Sequence, residues 1–174
     1  MPEQESRGRL TLVLGGARSG KSRHAEHLVE QQPAPWNYVA TAQAFDEEMR
    51  DRIAEHRTRR DENWRTVDAP LDLAGALLDI PDGQPVLVDC LTLWLSNQML
   101  GEWDIEVESA RLVDIFARPR GSWFVVSNEV GMGIVPDNAL GRRFRDAQGR
   151  LNARVAAVAD EVILMAAGLP IKVK

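Results

Sequence analysis

The segment GGARSGKS at residues 15–22 decides the fold of this 174-residue chain. It fits the pattern of a glycine, any four residues and then Gly-Lys-Ser, and it directly follows the apolar run at residues 10–14. Such a loop binds phosphate where a buried strand turns into a helix, because its amides and the positive end of the helix surround the anion. The sequence therefore predicts a nucleotide-phosphate site, with an ordinary glycine-rich turn as the alternative.

Each residue of this loop is a candidate contact to phosphate. The set consists of Gly15, Gly16, Ala17, Arg18, Ser19, Gly20, Lys21 and Ser22. The glycines permit backbone conformations that a Cβ would close. Lys21 can reach the β- and γ-phosphates, and the Ser22 hydroxyl can ligate Mg²⁺. The helical stretch that the pattern requires follows from residue 21 to about residue 31.

Composition indicates one compact globular domain. The chain is 44% hydrophobic and 27% charged, which are ordinary values for such a domain. A net charge of −5 and a pI near 5.3 do not favour binding to nucleic acid or to an anionic membrane. No apolar run approaches the roughly 20 residues of a membrane span.

The N-terminal sequence and the single cysteine both bear on where the protein is located. Residues 1–8 are polar, carry both charge signs and are expected to be a disordered tail without the features of a signal peptide. Residues 9–174 are then one P-loop domain. Cys90 is the only cysteine, so no internal disulfide can form, and a reducing compartment fits. The expected location is the cytoplasm.

Apolar runs alternate with helical patterns along the rest of the chain. Strands are predicted at residues 10–14, 37–41, 86–89, 122–127, 161–166 and 171–174, and helices near 21–31, 44–62, 71–79, 104–117 and 139–159. Several strand runs are unbroken, as in strands covered on both faces. The pattern predicts an α/β fold with a mostly parallel sheet flanked by helices. The last strand should be antiparallel, because residues 168–170 are too few for a crossover.

Asp89 closes the apolar run at residues 86–88 and therefore falls at the carboxyl end of a strand. In P-loop proteins an acidic residue there faces the phosphate loop and holds Mg²⁺, directly or through water. We expect Asp89 and Ser22 to share this role. The alternative is an N-cap, since a helical segment follows at Thr92.

His56 continues an apolar stripe formed by Phe45, Met49 and Ile53, so it is predicted to face inward. Four arginines surround it in sequence, at positions 52, 57, 59 and 60. Nearby cations favour the neutral imidazole, which is the form that can attack phosphorus. Spacing alone nevertheless favours a packed histidine on a charged helix, with part of the charge used in i, i+4 ion pairs.

Three other polar groups each allow a structural and a functional interpretation. His24 and His27 lack an evident third metal ligand and are interpreted as structural. The cluster at residues 127–129 and the Gly-x-Gly at 131–133 are either a ligand-binding strand end with a mobile loop or a plain turn. The arginines between residues 142 and 154 are either a solvated helix face or a lid over phosphates.

Six segments together resemble one enzyme family. They are GGARSGKSRHAE (15–26), YVATAQAFDEEMRDRIAEHRTRRDENWRTVDAP (38–70), LVDCLTLWLSN (87–97), SNEVGMGIVP (127–136), GRRFRDAQGRLN (141–152) and ADEVILMAAGLPIKVK (159–174). The chain resembles the bifunctional adenosylcobinamide kinase/adenosylcobinamide-phosphate guanylyltransferases of cobalamin biosynthesis over nearly all of its length.

The resemblance implies two activities and a RecA-like P-loop fold. One activity phosphorylates adenosylcobinamide with ATP or GTP, and the other transfers GMP from GTP to the phosphate formed. It implies that His56 carries GMP covalently, which overrides the interpretation from spacing. It also implies a homo-oligomer, either a trimer or a pair of trimers. A small-molecule or nucleoside monophosphate kinase without a covalent intermediate is the alternative.

The nucleotide contacts that the resemblance implies extend beyond the phosphate loop. They map onto Ala40, Thr41, Ala42, Arg57, Thr58, Arg59, Arg60, Asp68 and Asp89. The chain has Asp68 where the family pattern leads us to expect a glutamate, so this carboxylate is shorter but keeps its charge. Catalysis is assigned to His56 and Lys21, and Mg²⁺ to Ser22 and Asp89.

Overall fold

The computed structural model describes residues 7–174, except for the side chain of His56. Residues 1–6 of the predicted tail therefore lie outside the described residues. At its end, the Gly8 amide donates a hydrogen bond to the Pro119 carbonyl at 3.0 Å.

The described residues form one seven-stranded sheet. The strands are β1 (Arg9–Gly15), β2 (Trp36–Ala40), β3 (Trp64–Asp68), β4 (Val86–Asp89), β5 (Ser122–Asn128), β6 (Glu161–Ala166) and β7 (Leu169–Lys172). Their order is β3-β2-β4-β5-β1-β6-β7, and every pair is parallel except β6 with β7. This confirms the predicted fold class and the antiparallel last strand.

Helices cover both faces of the sheet. They are α1 (Lys21–Glu30), α2 (Glu47–Thr58), α3 (Leu73–Asp79), α4 (Leu91–Leu100), α5 (Ile105–Phe116) and α6 (Ala139–Val158). One apolar layer contains Leu10, Leu12, Val86 and Val88 together with buried residues of α3 to α6. The other contains Val13 and Leu87 together with buried residues of α1. Successive residues of β1 and β4 thus alternate between two covered faces, which explains their unbroken apolar runs.

Two elements differ from the sequence-based expectation because their local pattern is weak. Strand β3 was not predicted; it is an edge strand, and none of its five residues is buried. Helix α4 was foreseen only as a segment near Thr92. It is buried between the sheet and α5 and α6, and its buried residues include Thr92, Asn97 and Gln98 as well as leucines, so its sequence lacks a clear helical period.

The bounds of α2 and β7 differ from the predicted ones. Helix α2 was expected from residue 44, but Asp46 is its N-cap and accepts a hydrogen bond from the Met49 amide at 2.7 Å. Phe45 consequently precedes the helix and is 70% exposed, so it is not part of an inward stripe. Strand β7 starts two residues early, because Ala167 and Gly168 both adopt positive φ and reverse the chain.

Among the described residues, no helix combines the length and the apolar character needed to cross a membrane.

Candidate nucleotide-binding site

The phosphate loop joins β1 to α1 at the carboxyl edge of the sheet. Gly20 is the N-cap of α1 and has a φ of 87°, in the left-handed region that favours glycine. A Cβ on Gly15 would collide with the Ser19 side chain. The Lys21 ammonium donates a hydrogen bond to the Gly16 carbonyl at 3.0 Å, so it folds back over the loop that it is expected to serve.

Asp89 lies at the same edge of the sheet, at the end of β4. Its Oδ1 accepts a hydrogen bond from the Ser22 hydroxyl at 3.4 Å, and its Oδ2 accepts one from the Tyr38 hydroxyl at 2.7 Å. The N-cap of α4 is Cys90, without a side-chain cap. The alternative interpretation of Asp89 as an N-cap is therefore wrong, and its carboxylate is directed at the phosphate loop.

Burial shifts the pKa of two groups beside Asp89. Tyr38 is only 5% exposed, and its burial, followed by the charge and hydrogen bond of Asp89, raises the pKa of its phenol far above the ordinary value. Burial and the charge of Asp89 likewise raise the pKa of the Cys90 thiol to about 11. Both groups are neutral near pH 7, so Asp89 lies beside a hydrogen-bond donor and not beside a second anion.

The segment at residues 40–42 is fixed from the side of α4. The Thr41 hydroxyl donates to the Cys90 carbonyl at 2.7 Å and accepts from the Cys90 amide at 2.9 Å. The Asn97 side-chain amide donates to the Thr41 carbonyl at 2.7 Å. The Thr41 side chain is fully buried by these contacts. Ala40 and Ala42, not Thr41, thus line the open space beside the phosphate loop.

That open space is a cavity of about 240 Å³ between the sheet edge and α2. Its walls come from β2, β4, β5, the starts of α1 and α4, and the region of α2. The residues that line it are Ser22, Tyr38, Ala40, Ala42, Met49, Arg52, Ile53, Arg57, Arg60, Asp89, Cys90, Thr92, Leu93 and Asn128. A second hollow joins the phosphate loop to Arg52, Glu55 and Arg59. One side of α2 therefore adjoins both the metal-ligand candidates and the phosphate loop.

Helix α2 lies loosely on this edge. No α2 residue with a described side chain is buried, and only Met49 and Ile53 are half-buried. Ion pairs of Glu48 with Arg52 and of Glu55 with Arg59 lie along it, as expected. The backbone of residue 56 belongs to the last turns of this helix, three residues after Ile53 and four before Arg60.

Two predicted contact residues, one in the last turn of α2 and one just after the helix, contact side chains of the sheet. Nη2 of Arg57 lies 3.2 Å from both carboxylate oxygens of Asp68, at the end of β3. The guanidinium carbon of Arg60 lies 3.6 Å from the centroid of the Tyr38 ring. The aspartate that replaces the expected glutamate at position 68 thus reaches an arginine of the predicted nucleotide set.

The polar cluster at the end of β5 divides into structural and exposed parts. Ser127 is buried and donates to Asn152 Oδ1 at 2.6 Å, and the Asn152 side-chain amide donates to the Asn128 carbonyl at 3.0 Å. The Thr92 hydroxyl accepts from the Asn128 amide at 2.8 Å. Asn128 is thereby fixed beside the cavity, and the loop at residues 131–135 is exposed.

The arginines of α6 lie away from this cavity. Arg142 donates to the Pro136 carbonyl, Arg145 pairs with its neighbour Asp146, and Arg154 pairs with Glu106 of α5. None of the α6 arginines lines either hollow near the phosphate loop. This arrangement matches a solvated face and gives no support to an arginine lid.

The histidines of α1 have no third candidate metal ligand arranged with them among the described residues. His27 Nε2 lies 3.1 Å from the Gln31 side-chain nitrogen, and burial, with a smaller effect from His27, lowers the pKa of His24. Within residues 7–174 as described, no group of three or more His, Cys, Asp or Glu side chains is arranged to hold a metal ion.

Tyr38 is the site residue that sequence reasoning missed. It lies in the middle of β2 and reads as an ordinary core aromatic. Its contact with Asp89 depends on β2 lying beside β4, which no local pattern reveals. The one available signal was that it is the only tyrosine in the chain.

The fold and site define a P-loop nucleotide-binding enzyme, with the acidic residue of a neighbouring strand end beside the P-loop serine. Solved structures share the fold at low identity. A protein from Pyrococcus horikoshii OT3 has a TM-score of 0.56 at 12% identity, over 97% of this chain and 87% of that one. An ATPase of the type III secretion system of pathogenic bacteria has a TM-score of 0.60 at 12% identity, over 95% of this chain and 57% of that one.

Sequence relatives identify the family. The model of the cobinamide kinase/cobinamide phosphate guanyltransferase family matches residues 11–173. The bifunctional adenosylcobalamin biosynthesis protein CobP of Pseudomonas aeruginosa is 45% identical over 94% of this chain and 96% of that protein. The corresponding CobU protein of Salmonella typhimurium is 40% identical over 95% and 99%. The chain belongs to the cobinamide kinase/cobinamide phosphate guanyltransferase family and is a transferase of that class.

Proposed function

We propose that this chain catalyses both reactions of its family at one nucleotide site. It phosphorylates adenosylcobinamide with ATP or GTP, and then transfers GMP from GTP to adenosylcobinamide phosphate, giving adenosylcobinamide-GDP and pyrophosphate. The observation that carries the proposal is the cavity shared by Ser22, Asp89 and the arginines in and just after α2. Fixed arginines that face the phosphate loop can meet the charge of a bound triphosphate in both transfers.

The kinase step uses the phosphate loop and Asp89. The Ser22 hydroxyl and a carboxylate oxygen of Asp89 are 3.4 Å apart, and oxygen ligands of this kind suit Mg²⁺, so these two residues would hold it. The bound metal would neutralise charge on the triphosphate. Lys21 exchanges its bond to the Gly16 carbonyl for the β- and γ-phosphates, and the loop amides orient them for attack by the corrinoid hydroxyl.

The transferase step uses His56 as a covalent carrier. A neutral ring nitrogen attacks the α-phosphorus of GTP, a P–N bond forms, and the P–O bond to pyrophosphate breaks. An oxygen of the acceptor phosphate then attacks the same phosphorus, and the P–N bond breaks. Support comes from the chain position of His56, because Arg52 and Ile53 before it and Arg57 after it line the cavity. The loose packing of α2 would let the helix approach the α-phosphate after GTP binds.

The arginines around His56 have separable tasks in this step. Arg57 is oriented by the Asp68 carboxylate, and Arg60 by the face of the Tyr38 ring. Fixed guanidinium groups lower the barrier because they meet developing phosphate charge without reorganisation. Asp68 would then act on GTP through Arg57, in addition to the direct contact with GTP that the family resemblance implies.

Two further properties belong to the proposal. We propose that the enzyme is a homo-oligomer, a trimer or a pair of trimers. We place its reactions in the cytoplasm, since both consume nucleoside triphosphates and its single thiol is unpaired.

Product analysis tests the proposed function. The purified chain is incubated with adenosylcobinamide, GTP and Mg²⁺, and the corrinoids are followed by mass spectrometry. We expect adenosylcobinamide phosphate first and then the GDP adduct. A protein that binds GTP but leaves the corrinoid unchanged would contradict the proposal, and phosphate without the adduct would leave only a kinase.

A further inference from the structure

Tyr38 touches two parts of the site that no other described contact joins. Its hydroxyl donates to Oδ2 of Asp89 at 2.7 Å, and its ring lies under the guanidinium of Arg60 at 3.6 Å. Asp89 Oδ1 in turn faces Ser22 at 3.4 Å. A continuous line of contacts therefore runs from the phosphate loop through Asp89 and Tyr38 to the residue just after α2.

The hydroxyl determines how Asp89 presents its carboxylate. A carboxylate with one oxygen held by a short, charge-assisted hydrogen bond cannot rotate freely, so its other oxygen stays directed at Ser22. The phenol hydroxyl is the donor of this bond, because an ionised carboxylate can only accept. Its ring is fixed from behind by an edge-on contact with Trp64 of β3, with the centroids 6.2 Å apart.

The ring also determines where Arg60 lies. A guanidinium at 3.6 Å from the ring centroid is in the favourable range for a cation–π contact. Nη1 of Arg60 is buried and has no hydrogen-bond partner among the described residues, and Arg60 lines the cavity. A buried donor without a partner at a cavity wall is suited to an anionic ligand.

We propose that Tyr38 is a positioning residue that orients Asp89 for Mg²⁺ through its hydroxyl and seats Arg60 toward the nucleotide through its ring, linking the phosphate site to the end of α2. The inference rests on the proposed function only in taking the ligand to be a magnesium–nucleotide complex. Its two halves use different atoms of one side chain, so substitutions separate them.

Tyr38→Phe tests the hydroxyl, because phenylalanine keeps the ring and the fold. The measurement is the dissociation constant of a non-hydrolysable GTP analogue, with and without Mg²⁺. We expect affinity without metal to match the parent chain and the gain on adding Mg²⁺ to fall about tenfold. Trp64→Phe is the comparison variant, since it keeps an aromatic side chain behind the same ring and leaves the Tyr38 hydroxyl on Asp89, and its Mg²⁺ gain should fall less than that of Tyr38→Phe. An unchanged gain in Tyr38→Phe would overturn the role of the hydroxyl.

Tyr38→Leu tests the ring. The measurement is hydrogen exchange of the backbone at residues 57–62 in the complex with the analogue and Mg²⁺. We expect Tyr38→Phe to retain parent protection and Tyr38→Leu to exchange at least fivefold faster there, with matching rates in α6 as the check on folding. Equal protection of residues 57–62 in Tyr38→Leu would overturn the link to α2.

A third measurement needs no substitution. Because Tyr38 is the only tyrosine, a chain labelled with ¹³C at the tyrosine Cζ gives a single ring signal. We expect this signal to shift when Mg²⁺ is added to the analogue complex, and a fixed signal would overturn the proposal. None of these readouts requires transfer to a corrinoid. Failure of the proposed function would instead leave binding and exchange intact and remove only the products.

Discussion

At the scale of single residues, the site depends on which groups are charged. Asp89 is the anion that faces the phosphate loop, and two titratable groups beside it, Tyr38 and Cys90, are neutral near pH 7 because burial and the Asp89 charge raise the pKa of each. A second anion at this position would repel the triphosphate. The local environment thus leaves the Asp89 carboxylate without an ionised phenol or thiol beside it.

Cys90 should consequently be an unreactive thiol in the native protein. Its side chain is 7% exposed, and its pKa is raised to about 11, so almost no thiolate exists at pH 8. We expect alkylation by iodoacetamide at pH 8 to be slower than in unfolded chain by roughly two orders of magnitude or more. Similar rates in native and unfolded protein would show that the thiol is accessible and ionised.

His24 should make the stability depend on pH. Burial, with a smaller effect of His27, lowers its pKa in the folded state, so the unfolded chain binds a proton more readily as pH falls below about 6.5. The free energy of unfolding should therefore decrease as the pH falls from about 6.5 to the lowered pKa of His24 in the folded state. Denaturant titrations from pH 5 to 8 should show a smaller decrease in His24→Gln. His27→Gln should have a partial effect, since burial remains, and identical pH dependence in all three proteins would refute the assignment.

At the scale of elements, α4 organises the nucleotide edge although its sequence shows no functional motif. Its Asn97 holds the carbonyls of Thr41 and Pro70, and its neighbour Gln98 holds the carbonyl of Leu71. Both side chains are buried, so truncating either one breaks a hydrogen bond that water cannot replace. Only the Asn97 contact touches the segment at residues 40–42.

Asn97→Ala and Gln98→Ala therefore form a matched pair. We expect Asn97→Ala to lower the free energy of unfolding by about 1–3 kcal/mol, because two carbonyls lose this donor. Gln98→Ala should lower it by less, since the Leu71 carbonyl still accepts from Trp94 Nε1 at 2.9 Å. Only Asn97→Ala should also weaken GTP binding, by several fold, since Ala40 and Ala42 line the cavity on either side of the freed carbonyl. Equal GTP affinity in the two variants would mean that this segment does not contact the nucleotide.

At the scale of the whole molecule, the fold class was predictable because its signals are local. The phosphate loop with its preceding strand specifies a β–α turn, and the unbroken runs of β1 and β4 specify strands covered on two faces. The edge strand β3 and the buried helix α4 were not predictable in the same way. The first is half solvated, and the second buries polar as well as apolar residues, so neither has a clear period.

Site residues could be predicted where they lie at the carboxyl end of a strand or where the turn after a strand enters the next helix. Ser22 and Asp89 were expected together because carboxyl ends of parallel strands meet at one edge, and the structure brings them together. Tyr38 required the strand order, which follows from tertiary packing. His56 and the contact set around it came from family resemblance and stay predictions, since spacing alone had favoured a packed histidine.

The mass of the native particle tests the proposed assembly. Strand β7 is an edge strand on which Leu169 and Ile171 are substantially exposed, as is Val173 directly after it, so apolar surface is available for association. We expect light scattering to give three or six times the 19.4 kDa chain mass. A monomer at micromolar concentration would refute the oligomer.

Covalent labelling most directly tests the central claim that GMP is carried on His56. The chain is incubated with GTP labelled at the α-phosphate and with Mg²⁺, but without corrinoid, and the labelled peptide is identified. We expect stoichiometric label on the α2 peptide, labile in acid and stable in base, and none in His56→Asn, which should still bind GTP. Label on another residue, or no label on protein that has bound GTP, would contradict the account.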